Sequence, residues 1–194
     1  MQNVRIKTEI ILSLVLGTRS SGLAVFEGVD LIYYGIKEAS KHRLKHTPHS
    51  RAKEVARVVE QAIHKYRPNH FVTPAPYPFQ HFSPKLPVIA EHVMNIAGRF
   101  DLTCHEYQRT EIRKQLCPSR QATRQAVAEH LVVLYPELSR YTAGVSYWQR
   151  LYYARMLEAV AAGYVYTSQL QRERERFQLA QLDEQAHSIN INHP

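Results

Sequence analysis

Cysteine is scarce in this chain. Cys104 and Cys117 are its two thiols, and they are not set in a Cys-x-x-Cys spacing, which excludes a zinc ribbon and a dithiol redox pair. Reduced thiols fit an intracellular protein. Long apolar runs are missing too. The run at residues 10–16, IILSLVL, falls far short of the ~20 residues that cross a bilayer. Arg5 and Lys7 precede it as in a signal peptide, yet Arg19 follows closely and no Ala-x-Ala site is present. Secretion is therefore set aside, and a cytoplasmic protein without a membrane segment is expected. Acidic residues are the third shortage. The 17 Asp and Glu face 25 Lys and Arg, leaving a net charge of +8 and a pI of about 9.6. Such a surplus points to a polyanionic partner, nucleic acid foremost, against the alternative of a basic but indifferent surface.

What is present reads as one globular domain. The 194 residues are 44% hydrophobic and 22% charged, enough for a proper core. Residues 10–16 have the Ile, Leu and Val of a buried central strand. The small-residue stretch from Gly17 to Gly22 turns the chain, residues 23–27 lead back, Gly28 to Asp30 turns it again, and residues 31–35 form a third strand. A basic stretch follows, in which Lys37, Lys41, Arg43, Lys45, Arg51 and Lys53 are interleaved with His42, His46 and His49. Ser50 is the expected N-cap of a helix whose apolar face is Ala52, Val55, Ala56, Val59, Ala62, Ile63 and Tyr66. Arg67-Pro68-Asn69 ends it, and residues 70–73 form a short buried strand. A helix between strands is a crossover, so those strands should run parallel.

Residues 75–87 hold four prolines with Tyr77, Phe79, His81 and Phe82, and such a segment is not a regular helix. Its rings either stack on unpaired bases or pack beneath the loop. A second helix is expected at 88–100, a fifth strand at 102–107 and a short helix at 110–116. Ser119 is the expected cap of a helix with Ala122, Ala126, Val127, Leu131 and Leu134 on one face. A last core helix spans 146–164. The polar tail from 167 to 194 reads as a solvated helix or as disordered chain.

The opening LGTRSSGLAVFEG…LIYYG resembles that of the RuvC-like Holliday-junction resolvases, in the ribonuclease H-like superfamily. The segments HKYRPNHFVTP and 109–138 resemble later parts of the same family. The resemblance implies an α/β fold, a ribonuclease H-like mixed five-stranded sheet flanked by helices on both faces. It would occupy residues 9–166, after a short leader at 1–8 and before the tail at 167–194. In that family carboxylates at the ends of strands one and four and on the last helix hold two divalent ions. Here the aligned positions are Val15, Pro74, Arg150 and Tyr153. Valine and proline offer no side-chain oxygen to Mg²⁺, and an arginine repels it.

The resemblance therefore implies a catalytically inactive protein, with no metal cofactor, that binds nucleic acid. DNA, branched DNA in particular, is the expected partner, and a homodimer or larger complex is a possible assembly. Phosphate contacts are expected from Arg19, Lys41, Arg43, Lys45 and Arg51, and from Arg109, Arg113, Lys114, Arg120 and Arg124. Two rivals stand beside this reading. One is an active Mg²⁺-dependent junction endonuclease with a displaced site, built on a Glu106–Glu158 pair. The other is a protein-interaction module using the aromatic-proline segment at 76–82. His42, His46 and His49 are spaced for a metal, but the bases between them would repel a cation. Cys104 and His105 are neighbours on a strand and point to opposite faces. Ser20 and Ser21 lie in no nucleophile-elbow pattern.

Overall fold

The computed structural model describes residues 8–17, 19–38, 47–75, 85–117 and 122–191. The apolar run at the start forms β1, Ile10–Val15, the middle strand of a five-stranded sheet. It pairs antiparallel with β2, Ser20–Glu27, which pairs antiparallel with β3, Asp30–Glu38. On its other side β1 pairs parallel with β4, His70–Pro74, and β4 pairs parallel with β5, Thr103–Tyr107. The order β3-β2-β1-β4-β5 makes a mixed sheet.

Between the parallel strands run α1, Pro48–Tyr66, and α2, Lys85–Arg99. Both pack on one face, over Leu12, Leu14, Leu23, Val25 and Phe71. The other face carries α3, Arg109–Leu116, α4, Arg124–Leu134, a 3-10 turn at Pro136–Tyr141, and α5, Tyr147–Ile191. Their apolar residues meet Ile11, Val15, Ala24, Phe26 and Val72. The alternation of β1 thus sends residues 11 and 15 to one core and residues 12 and 14 to the other. A strand buried on both faces has no polar side to show, which is why its sequence is almost wholly apolar.

Several local expectations change. Thr47, not Ser50, caps α1: its Oγ1 accepts the Ser50 backbone N–H at 3.1 Å, and Pro48 takes the first helical position. Thr123 caps α4 in the same way, accepting the Ala126 N–H at 3.1 Å; Ser119 lies outside the described residues. The start of β2 includes Gly22, which pairs with Val15 instead of turning the chain. Neither Gly17 nor Gly22 has a positive φ. What Gly22 supplies is room, because a Cβ there would run into the Arg155 carbonyl of α5. A true turn glycine is Gly28, at φ 60° between β2 and β3.

The last helix does not stop near residue 164. It continues as one element to Ile191, buried along much of 156–167 and exposed from 171 to 182. Met156, Ala159, Val160 and Ala162 are all at or below 1% exposure, because the sheet lies on one side of this stretch and α3 and α4 on the other. Small residues let the helix come this close to the strands. No described helix is long and apolar enough to cross a membrane.

Candidate nucleic-acid interface

The ends of the two central parallel strands meet at one edge of the sheet. The β1–β4 ladder pairs Ser13 with Val72, so its continuation sets Val15 beside Pro74. Val15 is 1% exposed and packed in the core beneath α5. Pro74 opens onto a cleft of ≈ 580 Å³ between the strand ends, α3, α4 and the first turns of α5. Its apolar wall includes Ile112, Val127, Leu157 and Ala161.

Four arginines line this cleft, Arg109, Arg113, Arg124 and Arg150, against two acids, Glu129 and Glu158. Glu158 is held by two of them: its carboxylate lies 3.5 Å from Arg109 Nε and 3.4 Å from Arg124 Nε. Arg109 also donates to the Ala75 carbonyl just past β4, which fixes α3 to the strand end. Glu129 accepts from Gln125 at 2.9 Å. The side chain of Glu158 is 21% exposed, that of Arg109 15% and that of Arg124 53%, so the single carboxylate orients both guanidinium groups and offsets one of their two charges. Arginine forks suit phosphate oxygens better than any other side chain does.

A fifth guanidinium sits at the same edge. Arg155 of α5 reaches the β1–β2 turn, where Nη1 donates to Ser20 Oγ at 3.2 Å. It lies so close to Gly17 that a Cβ there would overlap Nε. Arg155 is half-buried. Sequence reasoning missed it, because nothing in the helical pattern separates it from Arg150 five residues earlier. Only the packing of α5 on β2 shows which arginine faces the end of β1.

The expected phosphate-binding residues divide among several places. Arg109, Arg113 and Arg124 come together in the cleft. Arg150, expected to mark an absent carboxylate, joins them on its wall. Lys114 is exposed on α3 but turned away from the cleft, and Arg19 is exposed in the β1–β2 turn. Arg51 must be withdrawn as a phosphate contact. It is 3% exposed and its Nη1 lies 3.0 Å from Glu54, since its place in the first turn of α1 points it into the fold. Lys41, Arg43, Lys45 and Arg120 lie outside the described residues, as do the rings of 76–82. Tyr153 is not at the strand ends; its ring packs 4.9 Å from that of Tyr141.

The Glu106–Glu158 pair is also excluded as an ion site. On β5 the neighbours His105 and Tyr107 reach Tyr166 of α5, so Glu106 between them faces the opposite side of the sheet. Glu158 is on the α5 side and already paired. Among the described residues no group of three or more His, Cys, Asp or Glu converges to hold a metal. Mg²⁺ requires hard oxygen ligands. Val15, Pro74 and the Arg155 guanidinium do not fit that requirement at this edge.

No family model matches the chain, and no curated protein matches it. Solved structures do. It is similar to Thermus thermophilus RuvC in complex with a Holliday junction substrate, at 14% identity and a TM-score of 0.62, over 80% of this chain and 90% of that one. It is similar to the yeast mitochondrial Holliday junction resolvase, at 10% identity and a TM-score of 0.61, over 89% and 84%. The fold is RuvC-like. The mixed five-stranded sheet with helices on both faces is the ribonuclease H-like arrangement that the resemblance implies. At this identity the RuvC-like likeness is one of fold. The side chains at its strand ends are this chain's own.

Proposed function

We propose that this protein binds branched DNA through the arginine cleft and does not cut it. The observation that carries the reading is the pairing of two features at one edge. The ends of β1 and β4 carry Val15 and Pro74, four guanidinium groups line the cleft onto which Pro74 opens, and a fifth, Arg155, lies against Gly17 and Ser20 just past β1. Phosphates are attracted to such an edge, and a divalent ion is repelled by it. The RuvC structure that shares the fold is in complex with a Holliday junction substrate, which supports a four-way junction as the substrate to try first. Contacts to phosphates give affinity and register rather than base choice. Discrimination between junction and duplex would come from shape. Two copies joined about a twofold axis would offer two clefts to the arms of a junction.

The test is a binding series with a four-way junction, a duplex and a single strand, at several salt concentrations and with Mg²⁺ present. Affinity for the junction should fall linearly on a log–log plot, with a slope of about −0.9 per neutralised phosphate. Four contacts then cost roughly a hundredfold over a fourfold rise in salt. Arg113→Ala and Arg150→Ala should each weaken binding, and no shortened strand should appear. Mg²⁺-dependent cleavage would restore the nuclease reading. Unchanged affinity in both variants would remove the cleft as the binding surface. Sedimentation of the same samples tests the dimer.

A further inference from the structure

One wall of the cleft continues into an exposed aromatic surface that phosphate binding does not use. At the start of α5, Tyr147 is 61% exposed, Trp148 76%, Leu151 43% and Tyr152 39%. Positions 147, 148, 151 and 152 follow helical spacing, so these side chains form one stripe. Tyr147 and Leu151 also line the cleft beside Arg150. The stripe is held on a rigid turn. Ser146 and Gln149 form a reciprocal cap, with the Ser146 N–H donating to Gln149 Oε1 at 2.8 Å and the Gln149 N–H donating to Ser146 Oγ at 3.4 Å.

Behind the stripe is a relay of packed rings. Tyr152 meets Tyr153 at 5.3 Å, Tyr153 meets Tyr141 at 4.9 Å, and Tyr141 meets Tyr34 at 5.8 Å. Arg140 lies over the Tyr141 ring at 4.9 Å. Glu38, facing the Tyr152 hydroxyl, is the acid at this margin. Large apolar side chains held rigid and open to water mark a binding surface. With arginines on its flank and an arginine cleft sharing its wall, the fitting occupant is a polyanion that also carries flat apolar faces.

The geometry points to a stacking platform for unpaired bases, made by Tyr147, Trp148 and Tyr152. It rests on the reading of the cleft as a phosphate site and narrows its substrate class. A strand would run its backbone along the guanidinium groups and lay exposed bases on the rings. Aromatic faces accept any base, so the platform selects unstacked nucleotides and not a sequence. The favoured ligands are then junctions open at the crossover and single strands, over closed duplex.

Trp148 is the chain's single tryptophan, so it reports on its own environment. An oligothymidylate and a blunt duplex are titrated into the full chain, with emission and anisotropy read together. Oligothymidylate should quench Trp148, and duplex should bind without quenching. Trp148→Ala and Tyr152→Ala should each weaken oligothymidylate roughly 5- to 150-fold and leave duplex affinity unchanged. Trp148→Phe should restore most of the loss. Phe177→Ala, 65% exposed farther along α5, should change nothing.

Binding with unquenched emission and unchanged affinity in both alanine variants would overturn the platform and leave the arginine cleft standing. Absence of any binding would bring down the cleft reading, and the platform with it. Loss of self-association in Trp148→Ala, with nucleic-acid affinity intact, would make a second copy of the chain the occupant and overturn the proposal.

Discussion

Arg155 and its neighbours set the chemistry of the sheet edge. The guanidinium stands against Gly17 and donates to Ser20, two residues beyond a valine that is wholly in the core. A cation so placed favours the approach of a phosphate. Arg155→Ala should weaken junction binding and reduce the log–log salt slope by about 1, as the loss of one phosphate contact does. Its folding stability should fall by no more than ~1.5–3 kcal/mol, the range for a hydrogen bond with one charged partner. Urea unfolding beside the binding assay checks both. An equal loss of stability and affinity would make Arg155 a packing residue. The absence of oxygen ligands at Val15 and Pro74 was legible from the opening motif and from the HKYRPNHFVTP segment, because each pins one of those positions. The identity of the arginine facing them was not, because helical phase at one end of a long helix depends on what the helix packs against.

Among elements, the approach of α5 to β2 is the tightest constraint. It gives opposite signs to one substitution at two glycines. Gly22→Ala would drive a Cβ into the α5 backbone, an overpacking that costs typically ~1–3 kcal/mol. Gly98 lies near the end of α2, where an added Cβ would meet nothing within 4 Å. Gly98→Ala should stabilise by roughly 0.5–1 kcal/mol, through lower entropy of the unfolded chain. Urea midpoints with an unchanged m-value check the pair. A neutral Gly22→Ala would show that the helix can lift from the strand freely. Element types and order were readable from periodicity. The caps moved from Ser50 to Thr47 and from Ser119 to Thr123 because several nearby hydroxyls compete, and the helix start decides among them.

Across the whole molecule, α5 divides the labour along its length. The first turns line the cleft, and the stretch around Tyr166 fastens the helix to the other end of the sheet. The Tyr166 hydroxyl lies 2.9 Å from His70 Nδ1 and 2.7 Å from His105 Nε2, while His70 Nε2 lies 3.3 Å from Glu9. One hydroxyl has a single proton, so it donates to one imidazole and accepts from the other. Burial, and then the charge of His70, push the His105 pKa below its ordinary 6.5, with Glu173 opposing. The native state therefore takes up its proton less readily than the unfolded chain. Stability from this group is complete above pH 6.5 and is lost as pH falls through the lower native value. Unfolding measured from pH 7.5 to 5 should show this decline in the native protein and a flatter profile in His105→Gln. Identical slopes would place the acid sensitivity elsewhere.

Strands, helices and their order followed from the chain alone, because burial on one face or two leaves a period in the residues that no partner needs to reveal. The want of carboxylates at two strand ends was equally plain, being a matter of residue type at pinned positions. Tertiary packing decided the rest. It buried Arg51, separated Glu106 from Glu158 by the thickness of the sheet, and drew arginines from three helices to one cleft. Charge neighbours distant in sequence become neighbours in space through the crossing of α5 over the strands, and no local pattern encodes that crossing.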